Sequence, residues 1–474
     1  TEMSQYLGKS KGFGQRFDPP SPSLYLSFLE SECGEYVRSE VSLADVRKDI
    51  KDYSTVNVPC HDAEMRIAIA KAHSAFKLDT PVPLLHLNDV FKQDLPIWSA
   101  SPGLPWTQQG YRTKGAIRDD PEAVNRVRWF WHSVKQGRKM IANDCCAFIR
   151  AQLVKRGERK VRALHGYPAT MVFGEAVFAL PLIDAYRKGR HPIAYGLETG
   201  VGGCRKLINS FVGQHYLGLD FKKFDKTVPE WLIRTAFDVL FLNLDFTVYK
   251  DYGEPRAPYV MRMWDYIIEY FVNTPIRMCN GERYRKNGGI ASGSYFTQLI
   301  GSIVNYILVT YASLKIGLHI KSIKVLGDDS IIGLDRPAYP HEFATVLEPL
   351  GFSINASKSC SSNRLSDITF LGHTLNCGFP QKPRDKVIAS LVYPEHPDRS
   401  WDHVASRAMG ILYANLGVDE LVDFYCRQVV KFKPFDLALS RSQIKMLAVL
   451  GHDIPTSTEP PDLLHMYMRL MGVR

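Results

Sequence analysis

Gly327-Asp328-Asp329 lies between two apolar runs, Ile323-Lys324-Val325-Leu326 before it and Ser330-Ile331-Ile332-Gly333-Leu334 after it. This feature constrains the fold more than any other in the chain. The pattern predicts strand, tight turn, strand. Apolar flanks anchor such a hairpin in a core and leave the two carboxylates at its tip. Carboxylates held rigidly side by side can ligate a hard divalent cation such as Mg²⁺. A merely solvated Asp-Asp turn is the plainer alternative.

Upstream, Tyr216, Leu217 and Leu219 read as a short apolar strand with Asp220 at its C-terminal end. Strand ends of this kind are common places for sites. Asp225 follows in the next loop, and Pro229, in a first helical turn, opens a helix through Trp231, Ile233, Phe237 and Leu240. Asp220 as a strand cap and Asp225 as a loop acid remain open readings. A third acid on a separate strand is also what an in-line phosphoryl displacement needs, with two cations held roughly 3.5–4 Å apart.

Between the acidic segments, Gly288-Gly289-Ile290-Ala291-Ser292-Gly293-Ser294 forms a loop whose backbone N–H groups can approach a nucleotide or a nucleic-acid backbone. The apolar stretch from Gln298 to Leu318 predicts a helix, with Thr297 and Asn305 on one face. Asn305 and Lys315 interrupt it as a membrane span. A buried core helix with a satisfied asparagine is the alternative.

The order Asp-x4-Asp, then Ser-Gly-x3-Thr with a downstream Asn, then Gly-Asp-Asp resembles motifs A, B and C of the viral RNA-dependent RNA polymerases. Further segments fit that family. Ser101-Pro102-Gly103-Leu104-Pro105 resembles motif G, and Lys155, Arg156, Lys160 and Arg162 resemble the basic motif F. Leu350-Gly351-Phe352 through Lys358 resembles motif D, and Phe370-Leu371-Gly372-His373 resembles motif E. Together the matches span residues 101 to 376. The segment from Lys382 through Tyr393-Pro394 looks most like polymerases of double-stranded RNA viruses of the partitivirus and picobirnavirus type.

The resemblance implies an α+β right-hand polymerase fold of fingers, palm and thumb, with an antiparallel palm sheet backed by helices. Residues 1–60 are expected to form an extended N-terminal arm bridging fingers and thumb. Fingers are expected over 61–178 with a return segment at 256–287, palm over 179–255 and 288–376, and a mostly helical thumb over 377–474. The implied activity is templated transfer of nucleotides from ribonucleoside triphosphates by a two-metal mechanism.

Asp220, Asp328 and Asp329 are the expected Mg²⁺ ligands, with Mn²⁺ as an accepted substitute, and Lys358 is the expected proton donor to pyrophosphate. Lys155, Lys160 and Arg162 are expected to meet the triphosphate. Asp225, Ser292, Thr297 and Asn305 are expected to bind the nucleotide. Within that set, Asp225, Ser292 and Asn305 would form a hydrogen-bonded network under the ribose. Ser101, Gly103, Pro105 and Gly293 are expected to contact the template. The implied partners are RNA template and product, ribonucleoside triphosphates and a viral capsid protein, in the virion interior and host cytoplasm.

Composition agrees. The 474 residues carry a net charge of +10 with 45% hydrophobic residues, a globular chain that suits a polyanionic partner. Six Lys or Arg and one Glu fall between Arg150 and Arg162, a run able to track phosphates. The nine cysteines show no zinc spacing and suit a reducing compartment. The sequence shows no signal peptide or membrane span, and its opening Thr1-Glu2-Met3 reads as trimmed. Gly8-Lys9-Ser10 lacks the upstream glycine of a phosphate-binding loop, and no H-E-x-x-H occurs. Two other classes remain: a reverse-transcriptase-like polymerase, and a non-catalytic RNA-binding protein on a polymerase fold. Leu326 before Gly327 argues against the first, and the presence of all three acids argues against the second.

Overall fold

The computed structural model describes residues 2–473; Thr1 and Arg474, at the outer edges of the expected arm and thumb, lie outside the described residues. Helices and strands are mixed along the chain. The hairpin forms as its sequence predicts. Strands Ile320–Leu326 and Asp329–Leu334 pair antiparallel with Leu326 opposite Asp329, leaving Gly327-Asp328 as a two-residue loop. Gly327 has φ +58. The first central position of a type II′ turn needs such a backbone, and glycine adopts it without steric penalty.

Strand His215–Leu219 pairs with the other edge of Asp329–Leu334, and Cys360–Ser362 pairs beyond it, both antiparallel. The result is a four-stranded antiparallel sheet. Ile332 faces the main core with Leu217 and Val325. Its neighbour Ile331 faces a smaller cluster with Ile368 and Phe370. That two-residue alternation is why both runs around the acids are apolar on each face.

The helix Thr297–Ile316 covers the inner face and ends at Gly317, φ +82, the left-handed position that closes many helices. It stops short of the expected Leu318. Gly301 brings it close to the hairpin, since a Cβ there would lie 3.3 Å from Gly327 Cα. This helix and Ala169–Lys188 are both long and apolar enough to cross a membrane, but 78% and 72% of their apolar windows are buried inside the protein. Helices apolar on all sides are what a large core requires.

Two local expectations shift slightly. Pro229 caps the helix Glu230–Phe241 from outside, and Asp225 lies in the short helix Phe224–Thr227, not in a loop. The arm departs further from expectation. Residues up to 60 are not simply extended: they contain the 3₁₀ segment Leu24–Cys33 and the helix Leu43–Lys51. Ser42 and Asp45 cap that helix reciprocally, a Ser-x-x-acid pattern that was readable in the sequence.

The arm packs on two separate parts of the molecule. Strand Ser4–Lys9 pairs with Glu282–Lys286 in a five-stranded sheet that also holds Pro275–Arg277, Cys145–Ala151 and Val161–Gly166. Leu26 and Leu29, in contrast, are buried with Ile388, Leu391 and Val392 in a separate C-terminal core. Burying each such leucine contributes about 1.5–3 kcal/mol, so the arm is a structural strut. Beyond His373–Thr374 the described residues form helices and no further strand.

Candidate active site

Sheet register sets the site. Leu219 lies opposite Ser330 in the antiparallel pair, so the next residue, Asp220, comes up beside Asp329 and the Gly327-Asp328 turn. The Asp220 backbone is held at both ends: its N–H donates to Ser359 Oγ at 2.9 Å, and its C=O accepts from Asn355 N–H at 2.7 Å. The turn is fixed from behind by the core helix. Gly327 N–H donates to Ser302 Oγ at 2.9 Å, and Asn305 Nδ2 donates to the carbonyls of Gly327 (3.0 Å) and Asp329 (3.1 Å).

A cavity of about 740 Å³ opens over this turn. Asp220, Asp225, Asp328, Ser292, Lys160, Arg162 and Lys358 all line it. Its electrostatics are those of crowded carboxylates partly balanced by cations. Burial raises the Asp220 pKa, and Lys358 and Lys160 oppose that. The cavity walls desolvate Asp328 and raise its pKa; Arg162 lowers it and Asp220 raises it again. Burial, with Asp328 adding, pushes Asp225 up to about 7.

Asp329 is also pushed up to about 7 by burial, with Asp328 and Asp220 adding to a shift that the Leu371 N–H opposes. Its Oδ2 accepts that N–H at 2.8 Å, so Asp329 is tied to the Phe370–His373 hairpin and does not line the cavity. Among the described residues no group of three or more His, Cys, Asp or Glu side chains is placed to hold a metal ion. The expected three-aspartate set is therefore not assembled. The donor chemistry of Asp220 and Asp328 still fits a hard cation: they are oxygen ligands on adjacent strand ends, each shifted toward neutrality, a state that a divalent charge would reverse.

The family described as viral RNA-dependent RNA polymerase matches residues 15–426. The chain belongs to this family. It is 30% identical over 325 residues to the RNA-directed RNA polymerase of Cryptosporidium parvum virus 1, covering 62% of this chain and 59% of that protein. It is 26% identical to the RNA-directed RNA polymerase of Atkinsonella hypoxylon virus, covering 60% and 50%, and 25% identical to that of White clover cryptic virus 1, covering 56% and 48%. The chain thus spans about half the length of these curated relatives. They bear out the family likeness read from motifs A, B and C.

Several residues expected to serve this polymerase-family site lie elsewhere. Asn305 is fully buried and spends its amide on the turn, so it does not reach the cavity wall beside Asp225 and Ser292. Its Oδ1 has no partner among the described residues. Thr297 Oγ1 donates to Ala291 O at 2.6 Å and closes the glycine-serine loop, away from the cavity. Lys155 is exposed in a strand paired with Tyr36–Arg38. Ser101, Gly103 and Pro105 form a loop packed on Tyr167-Pro168, where a Cβ on Gly103 would lie 2.8 Å from Tyr167 O. Gly293 has a packing reason of its own: a Cβ there would fall 2.0 Å from His165 O.

The loop 287–296 is braced by groups outside every motif. Lys286, fully buried, donates from Nζ to Phe271 O at 2.6 Å and Gly289 O at 3.1 Å. Tyr53 and His165 stand behind Ser292. The only sequence signal was strand alternation over Val161–Gly166, which turns Arg162 outward and Ala163 and His165 inward.

Glu175, 1% exposed, bonds the Ser294 hydroxyl through Oε2 and accepts Tyr295 N–H at 3.1 Å. Burial pushes its carboxyl from 4.5 to about 8. The folded form therefore holds a proton that the unfolded chain releases, and stability falls as pH rises through that window, levelling off above it. Glu175→Gln abolishes this titration. Its melting temperature is expected to vary less than the parent's between about pH 5 and pH 8, and to exceed it at the upper end. Parallel pH-dependent slopes in thermal melts of the two proteins would exclude a protonated Glu175.

Proposed function

We propose that this chain is the catalytic core of an RNA-directed RNA polymerase that adds ribonucleotides to an RNA strand on an RNA template. The observation that carries this is the register placing Asp220 beside the Gly327-Asp328 turn, on the floor of a cavity that also presents Asp225, Ser292, Lys160 and Arg162. The right-hand division is part of this reading. The four-stranded sheet draws one strand from 179–255 and three from 288–376, the two palm blocks. The return segment 256–287 joins the 145–166 strands of the fingers, and the helices beyond residue 377 share a separate core with Leu26 and Leu29 of the arm, as a thumb.

In this reading Asp220 and Asp328 hold the divalent ions, and Asp329 assists through the hairpin it anchors. When bound, Mg²⁺ or Mn²⁺ would acidify the primer 3′-hydroxyl and neutralise triphosphate charge. Lys160 and Arg162 bind the triphosphate, and Lys358, exposed on the loop that follows Asn355, delivers a proton to the leaving pyrophosphate. Ser292 and Asp225 face the ribose. A net charge of +10 favours the nucleic-acid partner.

Labelled ribonucleotides, a single-stranded RNA template and Mg²⁺ test the reading. Template-complementary RNA product is expected. Product only with deoxynucleotides would make the chain a reverse transcriptase, and RNA binding without synthesis would make it a binding protein. Arg162→Ala refines the assignment. Its charge acts on both Asp328 and Asp225, and its loss is expected to lower kcat/KM for nucleotide about tenfold or more, a charged hydrogen bond's worth. RNA affinity should change less. Unchanged nucleotide kinetics with a flatter salt dependence of RNA binding would move Arg162 to the template path.

A further inference from the structure

Tyr53, in the N-terminal arm, and His165, in the strand that carries Arg162, meet in the cavity wall, which both line. His165 Nδ1 lies 3.4 Å from Ser292 N–H, and its Nε2 lies 3.3 Å from the Tyr53 hydroxyl. The Tyr53 hydroxyl in turn lies 3.5 Å from Ile290 O. Only one set of directions satisfies all three links. Ser292 N–H donates to Nδ1, Nε2–H donates to the tyrosine oxygen, and the tyrosine O–H donates to the Ile290 carbonyl. Burial drives the His165 pKa down to about 3, with Lys286 and Lys226 adding, so the ring stays neutral and keeps its one acceptor.

The same pair sets the serine hydroxyl. The His165 backbone N–H donates to Ser292 Oγ at 3.0 Å. His165 Nδ1 lies 3.4 Å from the same oxygen, so the histidine holds the hydroxyl from two sides and leaves it one lone pair for the cavity. Tyr53 also packs against Gly289, which abuts the Asp225 backbone. A Cβ on Gly289 would lie 2.5 Å from Tyr53 Cδ1 and 2.9 Å from Asp225 O, and Ile290 N–H donates to Asp225 O at 2.7 Å. The arm grips the Asp225 turn at neighbouring points: Ser54 N–H donates to Lys226 O at 3.1 Å, Thr55 Oγ1 donates to Thr227 O, and Asp49 pairs with Lys226.

We propose that Tyr53 and His165 are positioning residues for nucleotide selection, fixing the spacing and orientation of Ser292 against Asp225. The proposal rests on the polymerase reading above. Both line the cavity but are almost fully buried, and their polar atoms are spent on each other and on the 290–292 backbone. They act by holding the two groups that would bond the sugar hydroxyl, and a site built to bond a hydroxyl discriminates only as well as its own polar groups are held.

Steady-state kcat/KM for GTP and for dGTP, measured on the full chain with an RNA template, tests this. His165→Gln removes the Nδ1 acceptor and is expected to reduce the GTP-over-dGTP ratio about three- to tenfold, the factor one net hydrogen bond is worth. His165→Asn, whose amide oxygen can stand near Nδ1, is expected to restore most of the ratio. Tyr53→Phe removes a single oxygen and carries the test if the histidine variants fold poorly; it too should lower the ratio. A merely structural pair would slow both nucleotides equally, so an unchanged ratio in folded His165→Gln or Tyr53→Phe overturns the proposal. Absence of ribonucleotide incorporation by the parent would instead overturn the polymerase reading, and this proposal with it.

Discussion

Asp328→Asn is expected to fold and bind RNA like the parent and to lose roughly 10²–10³ or more in templated ribonucleotide incorporation. The amide is close to isosteric, and the turn is gripped from outside by Ser302 and Asn305 through its backbone groups. What disappears is one of the two cavity carboxylates suited to a hard cation. In the absence of metal the variant should melt no lower than the parent, because a desolvated charge that Asp220 repels has been removed. Any increase in melting temperature that Mg²⁺ gives the parent should shrink in the variant, since binding to the folded state is what produces it. Incorporation at parental rate would remove Asp328 from the reaction.

Asn305→Ala is expected to lower stability by about 1–3 kcal/mol or more, the penalty for stranding buried backbone acceptors. The side chain spans from the core helix to the carbonyls on either side of Asp328, so its loss frees the turn as well as the helix. Incorporation should fall, yet the preference for GTP over dGTP should stay within about twofold of the parent, because Asn305 does not line the cavity. The motif resemblance implies the opposite, a residue that reads the ribose. Thermal melts and the two kcat/KM values separate the cases: a large drop in the ratio with intact stability would return Asn305 to the sugar.

The contrast between Asn305 and Ser292 marks how far the motifs could be read. Both stand in the same motif, and residue type and spacing treat them alike. Their roles diverge on which neighbour each polar atom meets. Ser292 keeps a hydroxyl at the cavity, whereas Asn305 is fully buried against a hairpin. The arm teaches the same point. Its proline- and glycine-containing start reads as extended, but Ser42-x-x-Asp45 caps a helix and Leu26 and Leu29 fill a core formed by residues beyond 380.

The sequence by itself determined the elements whose signals are local: the Gly327-Asp328 turn with its apolar flanks, the strand ending at Asp220, the core helix after Thr297 and the helical C-terminal region. Turn chemistry and two- or 3.6-residue periodicity write those into neighbouring positions. Only the tertiary structure decided that Leu219 pairs with Ser330, that Asp329 answers to Leu371, and that Tyr53, His165, Glu175 and Lys286 brace the glycine-serine loop. Those pairings join residues far apart in the chain. They are selected by sheet register, by close backbone approaches at Gly289, Gly293 and Gly301, and by the need of each buried polar group for a partner, none of which has a fixed spacing in sequence.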